Sequence, residues 1–139
     1  MRYKADWLIT QQILALTHFD SVVTPDDFAG IASDTARAIE DVENTFHVLI
    51  DNRIIESTNI APLDLMLQAM PVMNHPQLRW IVVILPEHIK EQAQELEIQK
   101  AGDIQLRYVD SLETAYQHLR DVDNTLTWDA IDTEFFISK

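Results

Sequence analysis

Apolar positions along this chain change period several times, and each change marks an element. Tyr3–Ile9 and Gln12–Thr17 read as two strands joined by a tight turn near Thr10 and Gln11, although that turn has neither glycine nor asparagine. From Thr24 the period lengthens. Phe28, Ile31, Ala32, Thr35, Ile39 and Val42 recur at three- and four-residue spacing and give a helix one apolar face. Thr24 suits the cap of that helix, Pro25 its first position, and Asp26 and Asp27 the positive end of its dipole. Phe46–Ile50 is a short strand. Ala61–Asn74 is a second helix with Leu63, Met66, Leu67, Met70 and Met73 on its buried side and Pro71 ending or kinking its last turn. Leu78–Leu85 is apolar at successive positions after Arg79, the pattern of a strand covered on both faces. Glu87–Lys100 follows as a third helix, closed by Ala101-Gly102 with glycine as the left-handed cap, and Ile104–Val109 as a further strand. Asp110-Ser111-Leu112-Glu113 resembles a capping box. It opens a fourth helix with Leu112, Ala115, Tyr116, Leu119 and Val122 on its inner face.

The order β-β-α-β-α-β-α-β-α predicts a single α/β domain over residues 1–123. Its mixed, mostly parallel sheet would have about five strands with about four helices, and its first strand would run antiparallel to the second near an edge. Residues 124–139 form a C-terminal tail in which Leu126, Trp128, Ile131, Phe135 and Phe136 stand among acids. Apolar area stabilises by roughly 25 cal/mol per Å² when removed from water, so the tail should pack on its own domain or on the partner of a homodimer.

Composition narrows the functions available. A chain of 139 residues with 47% hydrophobic and 24% charged residues is globular and long enough for one substantial core. It has two glycines, which excludes glycine-rich phosphate loops, and no cysteine, which excludes disulfides, zinc-thiolate sites and thiol nucleophiles. A formal charge of −13 repels nucleic acid and anionic membranes and leaves room for a basic protein partner. With no secretory h-region and no apolar run long enough to span a bilayer, a cytoplasmic protein is expected.

Phe46 to Ile60 is the stretch with the most chemistry. An apolar strand ends in Asp51, and Glu56, Ser57, Thr58 and Asn59 precede the next helical pattern. Element order together with this stretch resembles the STAS domain family, the anti-sigma-factor antagonists, and in particular its divergent STAS/SEC14-like branch; the resemblance covers roughly residues 3 to 122. Antagonists of that family carry a strand ending in aspartate, an apolar stretch, and Asp-Ser-Ser/Thr-Gly-Leu at the start of the second helix. Here Asp51 stands at the strand end, Ile54 and Ile55 form the apolar stretch, and Glu56-Ser57-Thr58-Asn59-Ile60 occupies the motif. The resemblance thus implies a regulatory, protein-interacting domain, with Thr58 at the position phosphorylated in switching members. The glycine is replaced by Asn59, the connection from Asp51 is short, and Pro62 moves the helix start to Ala61-Pro62, which leaves Thr58 in a loop. A turn built from Ser57, Thr58 and Asn59 is therefore the preferred reading over a working phospho-switch.

Two alternatives accompany the regulatory reading. The SEC14-like side of the resemblance allows a pocket for a small apolar or lipid-like ligand, bordered by Phe28, Met66, Met70 and Trp80. An enzyme using acidic residues is the other, without any constellation to support it. No catalytic residue, metal ligand set or cofactor is expected. The five histidines, His18, His47, His75, His88 and His118, are scattered at spacings that put no two on one helix face, and His118 should lie on a solvated face.

Overall fold

A hairpin without glycine opens the fold. β1 (Tyr3–Ile9) and β2 (Ile13–His18) pair antiparallel, and Gln11 takes the left-handed conformation, φ 64°, in their turn. The Gln12 N–H then donates to the Ile9 carbonyl at 2.9 Å. Positive φ at the third turn residue is a type II arrangement, which favours glycine but here has to be borne by glutamine. A computed structural model describes residues 3–54, 57–58, 75–87, 99–101 and 104–136, and for 57–58 and 99–101 the backbone alone.

The remaining strands are β3 (Val22–Val23), β4 (Phe46–Asp51), β5 (Ser57–Thr58), β6 (Leu78–Ile84), β7 (Gln99–Ala101) and β8 (Ile104–Val109). The main sheet has the order β1-β2-β4-β6-β8-β7. Its four inner strands run parallel, and β1 and β7 lie antiparallel at the two edges. The α/β class and the mixed, mostly parallel sheet are as the sequence predicts, with the first strand at an edge.

Helix α1 (Pro25–Ala38) begins as expected at Thr24 and Pro25. Its cap is a full reciprocal box: Thr24 Oγ1 accepts from the Asp27 N–H at 3.2 Å, and the Asp27 carboxylate accepts from the Thr24 N–H at 3.1 Å. Gly30 faces β1, where a Cβ would overlap the Tyr3 phenol, whose hydroxyl donates to Asp34 at 2.8 Å. Helix α2 (Leu112–Val122) is capped by Ser111, which accepts from the Thr114 N–H at 3.1 Å.

Four helices were expected, and the described residues contain these two α-helices. The expected second helix, Ala61–Asn74, lies outside the described residues, as does most of the third, Glu87–Lys100. The end of the third needs correction. Gln99 to Ala101 are extended and pair antiparallel with β8, Ala101 opposite Ile104. A glycine that suits a helix cap suits a two-residue hairpin equally well, and Gly102-Asp103 joins the two strands in sequence.

Both sheet faces are covered. On one, Ile39 and Val42, just beyond α1, pack with Leu14, Phe46, Val48, Leu78, Ile81 and Ile104. On the other, Ala115 and Leu119 of α2 and Leu126 and Phe135 of the tail pack with Ile13, Leu49, Val82 and Ile84. Arg79 is an extra residue in the β4–β6 register, where Phe46 faces Leu78 and His47 faces Trp80. This bulge lets Leu78 join the α1 side while Trp80 turns to the α2 side and meets the His118 ring edge-on at 4.4 Å.

The tail is fixed by backbone and side chain together. The Gln12 amide bonds Thr127 twice, accepting from its N–H at 2.7 Å and donating to its hydroxyl at 3.2 Å. The Asp132 N–H donates to the Leu8 carbonyl at 2.8 Å, beside the bulge between Trp7 and Ile9.

Candidate functional site

In open α/β sheets, ligand sites lie outside the carboxyl ends of the parallel strands. In this sheet Thr17, Asp51, Ile84 and Val109 form one row across that edge. Asp51 is its charged member and is 5% exposed. Such a carboxylate must be satisfied on every side. Its two oxygens accept from Arg53 Nε at 2.9 Å, Arg53 Nη2 at 2.8 Å, the Arg53 N–H at 3.1 Å and the Thr17 hydroxyl at 3.0 Å. Burial pushes the Asp51 carboxyl up, but these donors more than offset it and hold it below its ordinary value.

The result is a latch. Asp51 fastens the first turn after β4 to its own strand through Arg53, and fastens β4 to β2 through Thr17. The chain beyond it is presented in a fixed direction, and the Glu87 N–H donates to the Arg53 carbonyl at 3.0 Å, tying the loop after β6 to the same corner.

The segments that leave β2 and β4 at this edge each carry an exposed apolar side chain. Phe19 and Ile54 are each 46% exposed, and they are two of the three exposed large hydrophobic residues among those described. Phe19 directly follows β2 and Ile54 lies three residues beyond the end of β4, and β2 and β4 are neighbours. In sequence Asp20 directly follows Phe19, and Asp26 and Asp27 lie in the first turn of α1.

The site residues expected from the sequence are distributed as follows. Asp51 is at the strand end as expected. Ser57 and Thr58 form β5, parallel to β3, with Ser57 opposite Val22 and Thr58 opposite Val23. Thr58 is thus in a short strand next to the segment that leads into α1, not in the turn that the sequence favours for Ser57 and Thr58, because their backbone pairs with Val22–Val23. Glu56, Asn59, Met66 and Met70 lie outside the described residues. Phe28 belongs to α1 and Trp80 faces α2, so the structure places these two on opposite sides of the sheet. Arg53 and Ile54 lie in the Asp51 to Ile60 stretch that the sequence singles out, whereas Thr17 and Phe19 were missed. The Asp-x-Arg spacing at 51–53 was a usable signal for the latch; nothing in the local pattern marks Phe19 as exposed.

A second polar cluster lies toward the opposite edge, under α2. His47 is 2% exposed; its Nε2 lies 2.8 Å from Asp123 Oδ2, and its Nδ1 is buried without a hydrogen-bond partner. His118, expected on a solvated face, is buried instead, while Val122, expected inside, is exposed. The helix is rotated so that the imidazole rests on Trp80, and His118 Nδ1 accepts from Arg107 Nη1 at 2.9 Å. An accepting Nδ1 puts the proton of the neutral ring on Nε2. Burial, reinforced by the Arg107 charge, lowers the His118 pKa to about 4, and burial also lowers that of His47 against the pull of Asp123. Asp123 itself is held below its ordinary value: burial pushes it up, but hydrogen bonds from Thr125 and His47 prevail.

These shifts set a pH dependence. A base whose folded pKa is depressed contributes stability above its ordinary pKa, and that contribution is lost as pH falls through the folded value. Stability should therefore fall between pH 6.5 and about 4, with His118 contributing on the order of 2 kcal/mol after solvent screening. Urea titrations across this range should show the slope, and His118→Gln, which cannot titrate, should flatten it.

Among the described residues no three His, Asp or Glu side chains converge as a metal site would require, and no helix is long and apolar enough to cross a membrane. In comparisons with known proteins, the chain matches no family model, no curated protein and no solved structure. None of these comparisons identifies a STAS domain.

Proposed function

We propose that this chain is a regulatory protein-interaction domain that docks through the carboxyl edge of its sheet, in the manner the STAS resemblance implies. The observation that supports this reading is the pair Phe19 and Ile54, each 46% exposed, on the segments that leave the neighbouring strands β2 and β4 at the edge carrying the Asp51–Arg53 latch. Large apolar side chains exposed along one edge cost free energy in the unbound protein and supply the anchors of an interface. The latch makes them useful, because an anchor on a fixed loop loses little conformational freedom on binding. The net charge of −13 favours a partner with basic groups around an apolar patch.

Thr58 has a subordinate place in this reading. Phosphorylation there would add nearly two negative charges to a strand paired with Val22–Val23, next to Asp20, Asp26 and Asp27. It would strengthen attraction to a basic partner and work against the domain's own charge.

A photo-crosslinking residue at Asn52, on the docking edge, should capture one protein from the native cells. The same residue at Glu43, before β4 and at the other edge, should not. Replacing Phe19 and Ile54 together by aspartate should abolish the Asn52 capture while leaving the unfolding midpoint within a few degrees of the parent, as surface changes do. Equal capture from both edges, or capture unaffected by the double substitution, would reject the reading.

A further inference from the structure

The tail does more than close the core. Where it crosses α2 it leaves a groove of roughly 420 Å³, with Arg53, Tyr116 and Arg120 on one side and Trp128, Ile131 and Phe136 on the other. That volume lies in the range of small-molecule pockets and is too small for a folded partner or a peptide helix.

Its walls are aromatic. Tyr116 and Trp128 meet edge-on at 5.4 Å, and both, with Ile131 and Phe136, are half-buried at the margin of the core. Its charge is the reverse of the chain's. Arg53 is neutralised by Asp51, which engages Nε and Nη2, and Asp132 has Lys4 at 3.7 Å. Arg120 is different. Its guanidinium lies over the Trp128 ring, 4.5 Å from the centroid, and among the described residues no carboxylate pairs with it. Stacking occupies the face of a guanidinium and leaves its in-plane N–H donors directed outward. A cation in that posture is a receptor for a planar anion beside an aromatic wall. Both arginines act on the Tyr116 hydroxyl, whose pKa is nonetheless pushed up to about 12, chiefly by burial, so it stays protonated and can donate.

We propose that this groove binds a small aromatic carboxylate, with its ring against Trp128, Tyr116 and Phe136 and its carboxylate on Arg120. The observations favour a carboxylate over a phosphate. One uncompensated guanidinium matches one negative charge, and nearby Asp129 and Asp132 would oppose a dianion. The negative field of the whole chain fades within about 8 Å at physiological ionic strength, so contact chemistry decides the binding. The groove shares Arg53 with the latch, while Arg120 and its aromatic wall are separate from the docking pair Phe19 and Ile54.

The test is an NMR titration of the full chain with naphthoate, naphthalenemethanol and inorganic phosphate, following the indole N–H of Trp128 and the side-chain N–H of Arg120. Naphthoate should shift both, and the uncharged alcohol should bind about tenfold more weakly, as should naphthoate to Arg120→Gln, since each loses a charge-assisted pair. Arg79→Gln, an exposed arginine outside the groove, should bind as the parent does. Equal affinity for acid and alcohol, insensitivity to Arg120→Gln, or a phosphate response as strong as that to naphthoate would overturn the assignment.

Discussion

Phe135→Ala should lower the free energy of unfolding by about 3–5 kcal/mol, the cost of emptying a well-packed aromatic site. Phe135 is 1% exposed and lies among Leu8, Ile9, Ala115 and Leu119, although it belongs to the tail and not to a regular element. Lys4 sits over its ring at 4.1 Å, and the Asp132 bond to Leu8 holds the backbone just ahead of it. The neighbouring ring of Phe136 packs edge-on at 4.9 Å and lines the groove, so it is poorly placed to refill the cavity. Urea denaturation checks this directly. Phe136→Ala, at a half-buried position, should cost markedly less. If Phe135→Ala cost under about 1 kcal/mol, the tail would be an appendage and not part of the core.

Asp51→Ala is the second large effect, about 2–4 kcal/mol, because it removes the acceptor from a buried, charge-assisted set. Four donor contacts lose their partner at once: three from Arg53 and one from Thr17. Thr17 is buried and has no solvent to turn to, whereas the Arg53 side chain is 31% exposed and can partly resolvate. Asp51→Asn keeps the shape and should fall between parent and alanine. The sign with pH is the carboxylate one. Asp51 is depressed in the folded state, so its contribution is present above the ordinary carboxylate pKa and lost as pH falls through the folded value. A double-mutant cycle of Asp51→Ala with Arg53→Ala should show strong coupling, and simple additivity would mean that the latch does not act as a unit.

How much of this could be read from the residues follows from what each feature depends on. Hairpin, first helix and central strands depend on period and caps, which are local, so Tyr3–Ile9 and the Thr24-Pro25 start were found where they occur. Gln99–Ala101 was misread because its structure is decided by pairing with β8, a partner that a helical window cannot see. His118 was misread for a related reason. Histidine is amphipathic, and its burial here depends on Trp80 turning toward α2, which in turn depends on the bulge at Arg79. Asp51 was visible as a strand end followed by acids and hydroxyls. Its partner Thr17 was not, since the register of β2 against β4 is a property of the folded sheet.

The tail's bond to Leu8 has a consequence for how this protein behaves in a crowd of its own copies. β1 is an edge strand, and an open edge is a template on which another chain can add a strand and begin a fibre. The backbone of the tail takes up the Leu8 carbonyl, and Gln12 grips Thr127 at the turn, so the segment that seals the core also occupies the turn end of the strand on which the sheet could grow. At the far side β7 has only three residues, too short to offer much of a template. One peripheral segment therefore guards against two failures, a leaking core and an extending sheet, and losing its grip would invite both together.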